Sequence, residues 1–228
     1  MLVWVIAAAV IAVGLVYGGI LLWTKVINKP EERLSAQDLE ERLADGVSGA
    51  PVGVEGAWVV AADSELGYRV KEVLGGVDTE GVGRTNQVTG SLVIEGTEVS
   101  EATFEVDVAS IRSDSDRRDG QFAGRIMSTS QYPTATFRLT SPIALGAIPA
   151  PGTSITASAT GELTLRGVTR PVTFPLTARL DGDRIGVLGN IDIMFSDYGI
   201  ANPSNSFVKT GDNGLLEFVL VFDRAPAG

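Results

Sequence analysis

The chain has 228 residues and a formal net charge of −10, from 18 Lys and Arg against 28 Asp and Glu. Because this charge repels phosphate backbones, nucleic acid is not an expected partner. The sequence contains neither cysteine nor histidine, which excludes disulfides, Ser-His-Asp and Cys-His nucleophiles, and zinc sites of the usual nitrogen and sulfur type. Hydrolysis by Asp or Glu stays open, but we expect no enzyme activity, no metal and no required cofactor.

The N-terminal segment from Leu2 to Trp23 is apolar, without a charge or a proline. At 1.5 Å per residue it spans about 30 Å of hydrocarbon, which predicts one transmembrane anchor over residues 1–24. The alternative is a cleaved signal peptide, although such a peptide has a basic start and a shorter apolar run. Lys25, Lys29 and Arg33 follow the segment and nothing basic precedes it. The positive-inside rule taken alone would therefore place the rest of the chain in the cytoplasm.

Residues 25–56 are predicted to form a juxtamembrane helix and a flexible linker. The helix is expected between Leu34 and Gly46, where Leu39 and Leu43 make an apolar stripe too narrow for a core. These two leucines either pack on the main domain or offer a small docking face. The small residues from Gly46 to Gly56 are typical of a flexible tether.

The segment 57–228 alternates apolar and polar residues with a period of two, which indicates strands with one buried face. The clearest run extends from Ile155 to Leu165. About eight strands with short turns between them predict an all-β domain. We expect an antiparallel barrel, because closure removes exposed strand edges. A two-sheet sandwich is the alternative.

The alternation stops between residues 115 and 127, which predicts a short helix inserted between strands. Phe122 and Ile126 are one helical turn apart and are expected to face inward. Tyr132-Pro133 then returns the backbone to an extended conformation. The connection from Ser196 to Gly214 is long for a barrel and predicts a mouth or lid.

An eight-stranded barrel is either filled by its own side chains or holds one small ligand. Small residues on the inward faces would leave room for a ligand, whereas large ones reaching across would fill the space. The sequence leaves both alternatives open. The small residues are Ala157, Ala159, Gly161 and Gly189, and the large ones are Phe104, Phe174 and Phe218.

Three segments, in this order, resemble the signature of the YceI-like, polyisoprenoid-binding proteins. They are "SIRSDSDRRDGQFAGRIMSTSQYPTATFRLTS" at 110–141, "GELTLRGVTRPVTFPL" at 161–176 and "SDYGI" at 196–200. The resemblance covers roughly residues 57–224. It implies a lipocalin-like barrel whose apolar pore holds an isoprenoid chain, often a quinone or its precursor. Because members of this family are usually exported, it also implies an extracytoplasmic domain, against the positive-inside count.

The expected ligand site follows from the resemblance together with the inward positions of the strands and the inserted helix. The expected pore lining is Phe104, Val106, Phe122, Ile126, Phe137, Ala157, Ala159, Leu163, Phe174, Val187, Ile191 and Phe218. The expected mouth or headgroup residues are Arg118, Asp119, Tyr132, Tyr198 and Phe207. For Arg118 and Asp119, helix capping and a local ion pair are the alternative role.

These observations predict a single-pass membrane protein with its barrel on the extracytoplasmic side. Its expected ligand is a polyprenyl lipid or an isoprenoid quinone, carried without chemistry. The alternative is a structural accessory subunit that docks on a membrane protein complex. Such docking would use the anchor, the Leu39 and Leu43 stripe, or the acidic barrel surface.

Overall fold

The computed structural model describes residues 13–22, 29–44, 53–146, 148 and 150–226. Most of the predicted anchor lies outside the described residues, and its described part, 13–22, is helical. No helix among the described residues has both the length and the apolar character needed to cross a membrane. The predicted tether is described only from residue 53 onward.

Thirteen strands form one antiparallel sheet in the described part of the chain. Their bounds are β1 Gly56–Val60, β2 Glu65–Leu74, β3 Val77–Thr85, β4 Val88–Glu95, β5 Glu98–Asp107, β6 Arg112–Ser113, β7 Thr134–Ser141, β8 Ile143–Ala144, β9 Ser154–Leu165, β10 Val168–Asp181, β11 Arg184–Met194, β12 Val208–Thr210 and β13 Asn213–Arg224. The labelled helices are α1 Ala36–Ala44 and α2 Asp116–Gln121, and a π-helical turn, Phe122–Ile126, continues α2. Short 3₁₀ turns lie at Val108–Ser110 and Phe195–Tyr198.

Eight of these strands close into a barrel, as predicted. The hydrogen-bonded order is β1-β4-β5-β7-β9-β10-β11-β13, and β13 pairs again with β1. Val60 lies opposite Phe222 at this closure. Because the sheet closes on itself, the fold is a barrel and not a sandwich. Further along β13, residues Leu215–Val219 pair with β2, so that the β2–β3 hairpin extends the wall beyond the closed ring.

The alternation of residue types does not predict β3, because Gly81 and Gly83 interrupt it. Both glycines face side chains of β2. A Cβ on Gly83 would lie 2.5 Å from Tyr68 Cε1, and one on Gly81 would lie 2.8 Å from Glu72 Oε1. Each glycine therefore leaves the space that a larger neighbour occupies.

Residues 29–44, which we call the strap, lie on the outside of the barrel. Within the strap, α1 begins at a capping box in which the Ser35 amide donates to Asp38 Oδ2 at 2.8 Å. Burial alone would raise the pKa of Asp38, but hydrogen bonds from the Ser35 hydroxyl and amide lower it overall. The first turn of α1 is thus fixed by local polar contacts.

The apolar stripe of α1 packs on the barrel wall. Leu39 and Leu43 are buried in a cluster with Val219 and Val221 of β13. Gly186 of β11 lies beneath them, and a Cβ there would come within 2.4 Å of Leu39 Cδ1. Of the two alternatives for this stripe, the structure shows packing on the main domain. As a result, β13 is covered on both faces.

A buried ion network lies under the strap. Glu217 on β13 is fully buried and accepts from Arg69 Nη2 at 3.1 Å and from Arg84 Nη2 at 2.7 Å. The backbone carbonyl of Glu32 in the strap accepts from the same two guanidinium groups at 2.9 and 2.8 Å. Arg69 also donates to Glu80 at 2.7 Å. The strap therefore supplies a hydrogen-bond acceptor to the guanidinium groups of Arg69 and Arg84, which would otherwise face water or lack this partner.

Candidate binding cavity

The barrel encloses a cavity of about 560 Å³. This volume is within the usual range for small-ligand pockets, about 300–1,000 Å³. Most of its lining is apolar, including Leu163, Phe174 and Ile191. Charged residues that line it include Glu72, Arg117 and Arg118 at the end beside the inserted helix and Arg179 near the turn between β10 and β11. The cavity can therefore accept an apolar chain, with polar contacts toward its ends.

Phenylalanine rings form a continuous belt on the cavity wall. Phe137 lies with its ring centroid 6.3 Å from that of Phe104 and 5.5 Å from that of Phe174. Phe174 in turn meets Phe218 edge-on at 6.0 Å. Edge-on and offset contacts at these distances are favourable for aromatic pairs. The belt therefore forms a well-packed apolar section of the cavity wall.

The two inward glycines, Gly161 and Gly189, lie against phenylalanine rings and not against empty space. A Cβ on Gly161 would lie 2.5 Å from Phe137 Cζ, and one on Gly189 would lie 2.3 Å from Phe218 Cζ. These two glycines accommodate phenylalanine rings of neighbouring strands. The structure thus combines the two alternatives, because the rings fill the glycine positions and a cavity still remains between them.

One end of the cavity opens beside the inserted helix, and we call this opening the mouth. Its rim is formed by α2 on one side and by the connection between β11 and β12 on the other. Arg125 of the π turn donates to the Pro203 carbonyl at 2.9 Å and so bridges the two sides. The rim residues that also line the cavity are Arg117, Gln121, Pro203, Asn205 and Phe207.

The inserted helix turns two apolar side chains toward the cavity, as the sequence predicts. Phe122 is buried and Ile126 is half-buried, and both line the cavity. Phe122 stacks on Tyr68 of β2 with ring centroids 4.7 Å apart and an interplanar angle of 15°. This contact fixes the helix against the β2–β3 hairpin.

A polar cluster lies at the mouth end of the cavity. Arg118 Nη2 is 3.7 Å from Glu72 Oε2, and Arg118 also forms an ion pair with Asp114. Burial raises the pKa of Glu72 above its ordinary value, although the nearby Arg118 opposes this shift. Burial also raises the pKa of Tyr68 above its ordinary value. These groups can donate to and accept from the polar head of a bound molecule.

Eleven of the twelve residues predicted to line a pore lie on the cavity wall, and Ala157 is the exception. Ala157 is half-buried on β9 and packs against the core, but its single methyl group does not contribute to the wall. Leu176, which lies opposite it on β10, lines the cavity instead. Of the predicted mouth residues, Arg118 and Phe207 line the cavity.

The other three predicted mouth residues lie away from the cavity wall. Asp119 accepts from the Ser113 amide at 2.9 Å and from its hydroxyl at 2.6 Å, so its role is local and structural. Tyr132 packs on the turn after β9, where a Cβ on Gly167 would lie 2.5 Å from its Cε1. Tyr198 is buried in the core, and burial raises its pKa.

Two residues at the polar end, Tyr68 and Glu72, are absent from the sequence-based site. Both occupy inward positions of β2, together with Leu66, Val70 and Leu74, and all five line the cavity. The period of two along β2 places Glu72 on the apolar face, which is a detectable signal. Because burying an unpaired charge is costly, a carboxylate at an inward position indicates either a polar site inside the barrel or a wrong assignment of the residues that face inward.

A closed antiparallel barrel with an apolar interior and one polar, helix-lined mouth defines a class of small-ligand-binding barrels. The sequence model of the YceI-like domain matches residues 58–222 of this chain. The chain belongs to the YceI-like family. The motif resemblance described above is thereby confirmed.

Two solved structures share this fold. The first is a polyisoprenoid-binding domain from Saccharophagus degradans, implicated in plant cell wall breakdown. It has 21% sequence identity and a TM-score of 0.62, and the match covers 75% of this chain and 99% of that one. The second is BcnA from Burkholderia cenocepacia, with 26% identity, a TM-score of 0.52, and coverage of 68% and 95%.

Curated relatives include proteins designated UPF0312 from two Pseudomonas species. The protein from Pseudomonas putida strain F1 is 32% identical over 113 residues, which are 46% of this chain and 55% of the relative. The protein from Pseudomonas fluorescens strain SBW25 is 31% identical over 116 residues, or 48% and 57% of the two chains. The chain thus spans little more than half the length of the curated relatives it matches.

Proposed function

We propose that this protein binds an isoprenoid lipid, a polyprenyl lipid or an isoprenoid quinone, in the barrel cavity and carries it without altering it. The observation that carries the proposal is the cavity itself, which is apolar along its middle and polar at the mouth. A linear hydrocarbon with one polar end matches this distribution. The similarity to a polyisoprenoid-binding domain supports the choice of an isoprenoid over other apolar chains.

The proposal includes attachment to a membrane through the N-terminal segment, with the barrel on the extracytoplasmic side. It is supported by the uncharged, apolar sequence from residue 2 to residue 23 and by the family resemblance. A membrane-attached carrier stays close to the bilayer in which its ligand is dissolved. A reporter that matures only in the cytoplasm, fused to Gly228, should stay dark, and a bright fusion would reverse the placement.

The alternative, an accessory subunit that docks on a membrane protein complex, has fewer docking surfaces in the structure than the three that the sequence suggests. Leu39 and Leu43 are buried against the barrel, so they do not offer a docking face for another protein. Only the anchor and the acidic outer surface would remain for such docking.

The experiment that tests ligand binding compares two phenylalanine insertions on β10. Ala178 is half-buried and lines the cavity, and its neighbours Ile155 and Val187 line it too. Thr173 lies on the exposed outer face of the same strand. Ala178→Phe should reduce binding of a radiolabelled isoprenoid alcohol at least tenfold, because its ring occupies ligand space. Thr173→Phe should bind like the wild type.

Both variants must first show the β-type circular dichroism of the wild type. This check is needed because a phenylalanine inserted at position 178 into a filled core would overpack it and lower the free energy of unfolding by about 1–3 kcal/mol. If Ala178→Phe binds the alcohol as tightly as the wild type does, the ligand does not lie in this part of the cavity. If the wild type itself shows no saturable binding, the proposed function fails.

A further inference from the structure

The mouth end of the barrel carries exposed apolar groups that the packing of the fold does not explain. Phe207, at the rim, has 77% of its surface exposed. Val73, on the outer face of β2 near the same end, is also exposed. An exposed phenylalanine at the tip of a loop is unfavourable in water but suits the interfacial layer of a membrane.

Two lysines flank Val73 on this outer face, where the carboxylates Asp78 and Glu80 of β3 also lie opposite Val73 and Lys71. Lys209 of β12 lies directly opposite Val73, and Lys71 precedes it by two residues on the same face of β2. Both lysines are exposed and form no ion pair with any described residue. Lysine stems can lie along apolar groups while their ammonium groups reach lipid phosphates.

The apolar helical segment 13–22 lies against the same end. Gly75, in the turn between β2 and β3, is in contact with Ile20, because a Cβ on Gly75 would come within 2.9 Å of Ile20 Cδ1. The other side of this segment faces away from the barrel, and Leu15 is 72% exposed. The most apolar exposed surface of the described chain therefore adjoins the β2–β3 turn, at the same end of the barrel as the mouth.

From these three observations we propose that the mouth end of the barrel docks directly on a lipid bilayer. Phe207 and Val73 enter the interfacial layer, Lys71 and Lys209 contact lipid phosphates, and the mouth opens toward the acyl chains. The ligand then passes between bilayer and cavity without crossing water. The identity of the transferred ligand rests on the proposed function, whereas docking of the barrel on a bilayer is a property separate from ligand binding.

The lack of cysteine in the chain allows a site-specific test in the full-length protein. Phe207→Cys and Ile148→Cys each introduce one thiol, which is labelled with the fluorophore NBD. Ile148 is a matched control, because it is an exposed apolar residue that lines the cavity at the end opposite the mouth. Both labelled proteins are reconstituted into phosphatidylcholine vesicles with a fraction of phosphatidylglycerol.

We expect the label at position 207 to emit at shorter wavelength and to be quenched by spin-labelled lipid but not by iodide. The label at position 148 should emit at longer wavelength and should be quenched by iodide but not by spin-labelled lipid. If the two labels are equally accessible to iodide and neither is quenched by spin-labelled lipid, the docking proposal is overturned.

A second comparison does not depend on a fluorophore. Val73→Asp places a charge in the docking face, and Thr89→Asp places the same charge on the exposed outer face of β4. Val73→Asp should slow transfer of isoprenoid alcohol from vesicles to the barrel several-fold, and Thr89→Asp should not. Equal transfer rates would count against docking. Lipid quenching at position 207 in a protein that binds no isoprenoid would support docking and refute the proposed function.

Discussion

Glu72 is a half-buried carboxylate at the polar end of the cavity. It occupies an inward position of β2, where burial raises its pKa and Arg118 offsets part of that effect. The space for both side chains comes from Gly81 on the facing strand. The polar end of the cavity thus depends on a glycine that has no chemical function of its own.

The raised pKa of Glu72 predicts a pH dependence of stability. Its ordinary value is 4.5, and the folded value is higher. The stabilisation from Glu72 is therefore fully present below pH 4.5 and is lost as the pH rises through the folded value. Glu72→Gln cannot ionise, so its melting temperature should rise relative to the wild type between pH 4 and pH 8.

Thermal unfolding followed by circular dichroism across this pH range measures the effect. Glu101→Gln, at an exposed position of β5, is the matched control and should show no such trend. A difference between Glu72→Gln and the wild type that stays constant with pH would contradict the assignment.

The positions on the cavity wall follow largely from the alternation of the sequence, since a period of two fixes which residues of a strand face inward. Phe104, Leu163 and Phe218 are examples. The alternation carries no information on residues outside regular strands. Asp119 and Tyr198 belong to such segments, and their contacts are set by backbone turns that the sequence pattern does not reveal.

Among the elements, α1 shows how a short helix acquires stability from packing. Its stripe of two leucines is insufficient for a core of its own, and isolated helices of this length are marginal in water. Contact with β11 and β13 buries both side chains. The sequence predicts the helix correctly but leaves its partner open, because two apolar residues fit many surfaces.

Leu39→Ala should lower the free energy of unfolding by about 2–5 kcal/mol, because Leu39 is almost fully buried and its removal leaves a void. Glu41→Ala, on the exposed side of the same helix, should change it by no more than about 0.5 kcal/mol. Urea unfolding of the two variants and the wild type provides the comparison. Equal stabilities for the two variants would show that α1 does not contribute to the folded barrel.

At the scale of the whole molecule, closure of the barrel is predictable, whereas the presence of a cavity is not. Eight alternating strands require closure to protect their edges. Whether the interior is filled depends on the directions of a few rings. Phe137 and Phe218 lie over Gly161 and Gly189 and leave the centre open, an outcome that residue types alone do not determine.

The strap couples the N-terminal part of the chain to the barrel, and this predicts the effect of truncation. A chain that starts at Ala57 exposes the fully buried Val219 and Val221 and removes the Glu32 carbonyl from Arg69 and Arg84. It should melt at a lower temperature and bind more of the dye ANS than a chain that starts at residue 29. Identical melting temperatures and dye binding would show that the strap is dispensable.

The central claim is that the cavity holds an isoprenoid lipid, and native mass spectrometry of the full-length wild-type protein tests it most directly. The protein is purified under conditions that preserve bound lipid, and the same sample is then extracted with organic solvent. We expect a folded protein carrying one additional mass, which the extract identifies as a polyprenyl lipid or an isoprenoid quinone. A folded protein without any bound lipid, or with an ordinary phospholipid in its place, would contradict it.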